Sequence, residues 1–71
     1  MKTDVRHQLG RQIIRLRIKN NLTQEALAER AGISTKYLQN LEGKRPKKAT
    51  VVTLEKLAKA FKIPIWKLLK F

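Results

Sequence analysis

The chain has 71 residues, of which 17 are Lys or Arg and 5 are Asp or Glu, a formal net charge of +12. Cysteine is absent and His7 is the single histidine, so no disulfide framework or thiolate metal site is available, and one histidine cannot hold a metal by itself. This length allows one domain, residues 1–71, around one small core, and so basic a chain points to a polyanionic partner, nucleic acid before anionic membrane.

Apolar residues recur at spacings of three and four, not two, which predicts an all-α chain of short helices with no strand. The first segment begins near Thr3 or Asp4, either of which can cap it, and Val5, Leu9, Ile13 and Leu16 are expected on its core face. Gly10 interrupts that segment at a cost of about 1 kcal/mol, which a close neighbouring backbone would explain. The segment ends at Asn20-Asn21. A second helix starts after Thr23, runs through Arg30 with Leu27 and Ala28 on its buried face, and is ended by Gly32, which tolerates positive φ. Ser34 can cap a third, carrying Tyr37, Leu38 and Leu41 and stopping at Gly43. After the charge-dense loop Gly43-Lys44-Arg45-Pro46-Lys47-Lys48, a fourth follows Thr50 with Val51, Leu54, Leu57, Ala58 and Phe61. The fifth follows Pro64 and carries Ile65, Trp66, Leu68 and Leu69. No apolar run approaches the roughly 18 residues of a membrane span. Met1 to Gly10 lacks the apolar region of a secretory signal, so a reducing cytoplasm and its nucleoid are the expected setting.

Gln24 to Gly43 is the informative stretch. A short helix, a glycine turn and a second capped helix succeed one another there. Ala28 is small enough for the two helices to approach closely, and Ile33, Leu38 and Leu41 supply the contacts that would fix their crossing. This is the physical arrangement of a helix-turn-helix, whose second helix projects into the major groove. The segment "LTQEALAERAGISTKYLQNLEGKR" resembles the helix-turn-helix of the phage repressor and Cro type, the XRE family. Upstream, "LGRQIIRLR" is similar to that family's first helix, and downstream "TLEKLAKAFKIPIWKLL" to its fourth and fifth. The likeness covers Leu9 to Leu69. It departs from the family in a lysine-rich loop from Lys44 to Ala49 and in Pro64, where a serine is common.

The resemblance implies a compact bundle of five helices like the lambda repressor domain, and double-stranded DNA as the partner of a transcriptional regulator or repressor. It implies base contacts from the outward face of the third helix, by Thr35, Lys36, Gln39 and Asn40. Their chemistry suits the reading of base edges, since Lys donates to guanine, Asn pairs bidentately with adenine, and Thr can meet a thymine methyl. Gln24, first in the second helix, resembles the family's phosphate-binding glutamine, and a helix N-terminus offers free N–H groups to the same oxygen. Ser34, Lys44, Arg45, Lys47 and Lys48 join the expected phosphate contacts, with a narrow minor groove as the alternative for Arg45 or Lys47. Tyr37 either packs under the helix or sends its hydroxyl to a phosphate. By the same likeness, Arg17 and Glu42 would form a structural ion pair between the first helix and the end of the third.

Other classes fit less well. Without a second histidine, a cysteine, paired carboxylates at a cleft or a Gly-rich phosphate loop, neither an enzyme nor a cofactor or small-molecule ligand is expected. A membrane-surface module would share the basic amphipathic helices but has no need of five globular segments. RNA binding lacks an aromatic platform for stacked bases. An antitoxin that pairs with a toxin remains compatible with this DNA-binding fold. One recognition helix reads only a few base pairs, so a weak homodimer on a two-fold site is expected, and Ile65, Trp66, Leu69 and Phe71 are the candidate dimer surface.

Overall fold

The computed structural model of the chain describes residues 4–44 and 46–71. Its helices are α1 (Val5–Lys19), α2 (Gln24–Ala31), α3 (Thr35–Glu42), α4 (Val51–Ala60) and α5 (Ile65–Leu68), with no strand among the described residues. Capping sets where they start. Thr23, Ser34 and Thr50 all adopt extended backbone, and their hydroxyls accept the N–H groups of Ala26, Tyr37 and Thr53. Each replaces one backbone acceptor that a helix start lacks, a contribution of about 1 kcal/mol. Asp4 caps α1 by accepting the Arg6 N–H at 2.8 Å. Hydrogen bonding to Arg6 holds its exposed carboxyl below the ordinary carboxylate range. Thr3, the other candidate cap, lies outside the described residues.

Left-handed residues set where three helices stop. Asn21 has φ 55° after α1 and Gly32 φ 70° after α2. Lys62 makes the same turn after α4 at φ 59°, without a glycine to ease it.

Every helix contributes to one core. Ile13 of α1, Leu27 of α2, Leu38 and Leu41 of α3, Leu57 of α4 and Leu68 of α5 are its fully buried large side chains. α1 packs on α3 and α5, α2 on α3 and α4, and α4 on α5. At Gly10 the backbones of α1 and α3 approach closely: a Cβ at that position would collide with the Leu41 carbonyl oxygen. The glycine in α1 therefore lets the backbone of α3 lie directly against it.

Val5, expected on the core face of α1, is on the surface, and so is Val51 of α4. Val5 is 64% exposed and Val51 is 74% exposed. Both are first residues of their helices, where the apolar spacing is right but no neighbouring element covers the first turn. Leu16 and Leu54 are half-buried against the core, while Phe61, just past the end of α4, is inside it.

Candidate nucleic-acid interface

Helix α3 is held by its inward row and offers its outward row. Leu38 and Leu41 anchor it in the core. The turn from α2 is closed by Gly32 and by the Ile33 N–H donating to the Ala28 carbonyl at 3.0 Å. On the opposite side Lys36 and Gln39 are exposed, and Thr35 and Asn40 are half-exposed at the margins of the same face. The four candidate base-contacting side chains thus share one surface about 12 Å long, the length of an eight-residue helix.

A lysine loop borders that surface. Lys44, Lys47 and Lys48 are exposed, and Pro46 between them is buried, which pins the loop to the body of the protein. Arg45, the remaining loop cation of the expected phosphate set, lies outside the described residues.

Three other residues of that set are used within the protein. The Tyr37 side chain is half-buried and its hydroxyl donates to the Lys48 carbonyl at 3.2 Å, tying the loop to α3. The Ser34 hydroxyl accepts the Tyr37 N–H at 3.0 Å as the cap of α3. Gln24 Nε2 donates to Glu42 Oε1 at 3.0 Å, so its amide is drawn toward the end of α3 instead of standing free at the start of α2. The first N–H groups of α2 still lack intrahelical acceptors, as at any helix start.

Glu42 is the centre of a small polar network. Arg17 Nε donates to Glu42 Oε2 at 3.0 Å and its Nη2 to Oε1 at 3.2 Å, a two-pronged pair. The third prong of Arg17, Nη1, donates to the Leu22 carbonyl at 3.0 Å. The two side chains retain only 18% and 4% of their exposure. One guanidinium therefore fastens α1 both to the segment entering α2 and to the last residue of α3.

At the C-terminal end Trp66, Leu69 and Phe71 of the expected dimer surface are exposed, and Ile65 is half-buried against the core. The reason is that Ile65 and Leu68, three apart in α5, share its inward face. Sequence reading missed two ties of α1 to distant backbone. His7 Nε2 donates to the Lys44 carbonyl at 2.6 Å, and Gln12 Nε2 lies 3.4 Å from the Lys67 and Lys70 carbonyls. Their partners lie 37 to 58 residues away, beyond any local signal. Among the described residues there is no metal-binding cluster of His, Asp or Glu, and no helix long and apolar enough to cross a membrane.

Residues 10–70 match the family described as a helix-turn-helix domain. An uncharacterized HTH-type transcriptional regulator, y4dJ, of Sinorhizobium fredii is 44% identical over 57 residues, covering 80% of this chain and 73% of its own. Among solved structures, the restriction-modification controller protein C.AhdI from Aeromonas hydrophila superposes with a TM-score of 0.83 at 28% identity, over 89% of this chain and 94% of that one. The clp gene regulator ClgR from Corynebacterium glutamicum gives 0.88 at 26% identity, over 97% of this chain and 72% of that one.

Proposed function

This chain belongs to the XRE-type helix-turn-helix family, and we propose that it is a transcriptional regulator that reads double-stranded DNA with α3. The observation that carries this reading is the outward face of α3, where Thr35, Lys36, Gln39 and Asn40 stand together beside a lysine loop on a chain of net charge +12. A helix of this width fits the major groove, and these side chains can address base edges there. Lys44, Arg45, Lys47 and Lys48 then track the phosphates, which sets register and affinity without reading sequence. Ser34, Tyr37 and Gln24 act one step back: they cap α3, hold the loop to it, and join α2 to Glu42. Bound at an operator that overlaps a promoter, such a domain represses, and its place is in the cytoplasm with the DNA.

Selection of bound duplexes from a random pool tests the reading. A shared motif should be enriched, and a pool that stays random would sink it. Against the selected site, Lys36→Ala and Asn40→Ala should each relax preference at particular base pairs, by about 1–3 kcal/mol for each bidentate pairing removed. If both variants keep the parent's base preferences, α3 is not the reader.

Assembly depends on the information one α3 can carry. Two copies with their α3 helices about 34 Å apart would read both halves of a two-fold site. Trp66 is 62% exposed, and with Leu69 and Phe71 it forms the apolar end through which a second copy would dock weakly. Sedimentation with a palindromic duplex should give two proteins per duplex. One protein per duplex at every concentration, with Trp66→Ala binding as the parent does, would remove the dimer.

A further inference from the structure

Beside the C-terminal end of α3 the surface sinks into a cavity of about 340 Å³, lined by His7, Arg11 and Ile14 of α1 and by Glu42, Gly43 and Lys44. The acidic member does not set its charge. Both Glu42 oxygens are engaged, by Arg17 and by Gln24, and the side chain is 4% exposed. What the cavity presents is cationic: Arg11 and Lys44 are both exposed on its rim. His7 stands between them, and since its Nε2–H donates to the Lys44 carbonyl, its Nδ1 is the ring nitrogen left for a ligand. Ile14, half-buried, gives the cavity one apolar wall.

We propose that this cavity seats a phosphate group, gripped by Arg11 and Lys44 with His7 beside them, and that the DNA backbone supplies it. The source of the phosphate rests on the DNA-binding reading above; the chemistry of the seat does not. Its position argues for the backbone. Lys36, Asn40 and Gly43 succeed one another at helical spacing, so the outward row of α3 ends at the mouth of the cavity. The major groove is about 12 Å wide, close to the length of α3, so a helix with its first turn among the bases brings its other end to the rim, where phosphates line the edge. The carbonyl end of α3 opposes an anion with about half a charge, against the two full charges of Arg11 and Lys44. By this assignment α1 is part of the DNA-facing surface, and the His7 tie to Lys44 holds the two sides of the seat at a fixed span.

Arg11→Ala is the direct test, because Arg11 is exposed and its loss leaves the core intact. Affinity should fall about three- to tenfold for every duplex alike, and the slope of log affinity against log salt should drop by about one. His7 is the chain's only histidine, so its ring resonances report on the cavity alone. They should move when a short duplex is added, and move less in Arg11→Ala. Inorganic phosphate provides the second arm. If it shifts His7 saturably and Arg11→Ala abolishes the shift while duplex affinity is unchanged, the seat takes free phosphate and the backbone is overturned as its source. If neither phosphate nor duplex moves His7, and Arg11→Ala binds as the parent while Lys48→Ala binds more weakly, the seat is wrong and the DNA-binding reading stands. A parent protein that binds no duplex would fail that reading itself.

Discussion

Glu42→Ala is expected to destabilise the fold by about 3 kcal/mol, at the lower end of the usual cost of removing one partner from a buried ion pair. The substitution takes away both acceptors of the Arg17 fork and the acceptor of the Gln24 amide. Arg17 keeps only its bond to the Leu22 carbonyl, and with 18% of its side chain exposed, water can replace part of what is lost. That access is why the loss stays near the lower figure. A domain this small has about 5 kcal/mol of stability, so most of it would go. Urea titration should show the midpoint falling with the slope unchanged. The net worth of the pair is a separate quantity. Replacing both residues with apolar ones, Arg17→Met with Glu42→Leu, should leave stability near the parent's, because desolvation cancels most of the attraction. A single Glu42→Ala loss below about 1 kcal/mol would mean the pair behaves as a surface pair.

The same network shows what the sequence could and could not disclose. Helix starts were legible because a cap is a local device. Thr23, Ser34 and Thr50 each act on an N–H three residues away. Gly32 marked a turn for a similarly local reason, and Gly10 signalled a close backbone, which proves to be the Leu41 carbonyl. Spacing also gave the face on which apolar residues lie. It could not say how far along the helix that face is covered, and so Val5 was expected inside although the first turn of α1 leaves it exposed. Polar side chains were harder still. Gln24 and Tyr37 have donors that suit a phosphate equally well, and only the folded chain shows Glu42 and the Lys48 carbonyl within reach of them. Partners 18 and 11 residues away leave no periodic trace. His7 is the extreme case: nothing in its neighbourhood of sequence points to Lys44, yet that bond places α1 beside the end of the recognition helix.

DNA affinity is expected to fall steeply with salt, and the size of the fall should also count the copies bound. Each phosphate neutralised releases condensed counterions, so log affinity declines with log salt at about −0.9 per phosphate. One copy offers Lys44, Arg45, Lys47 and Lys48 to the backbone, enough for about four phosphates. Raising salt from about 50 to 200 mM should then weaken a single copy about a hundredfold. Two copies on a two-fold site offer about eight such cations, and their joint affinity should fall about ten-thousandfold over the same range. Pairing with bases contributes little to this slope, so a random duplex and the selected site should give nearly parallel lines, displaced by the specific free energy. Lys48→Ala should flatten the line by about one unit per copy and lower affinity for all sequences together. Fluorescence anisotropy across a salt series measures all of this directly. Affinity that stays level from low to high salt would remove the phosphate role of the loop. A hundredfold fall on a palindromic site that demonstrably holds two proteins would mean that only about half of the loop cations reach the backbone.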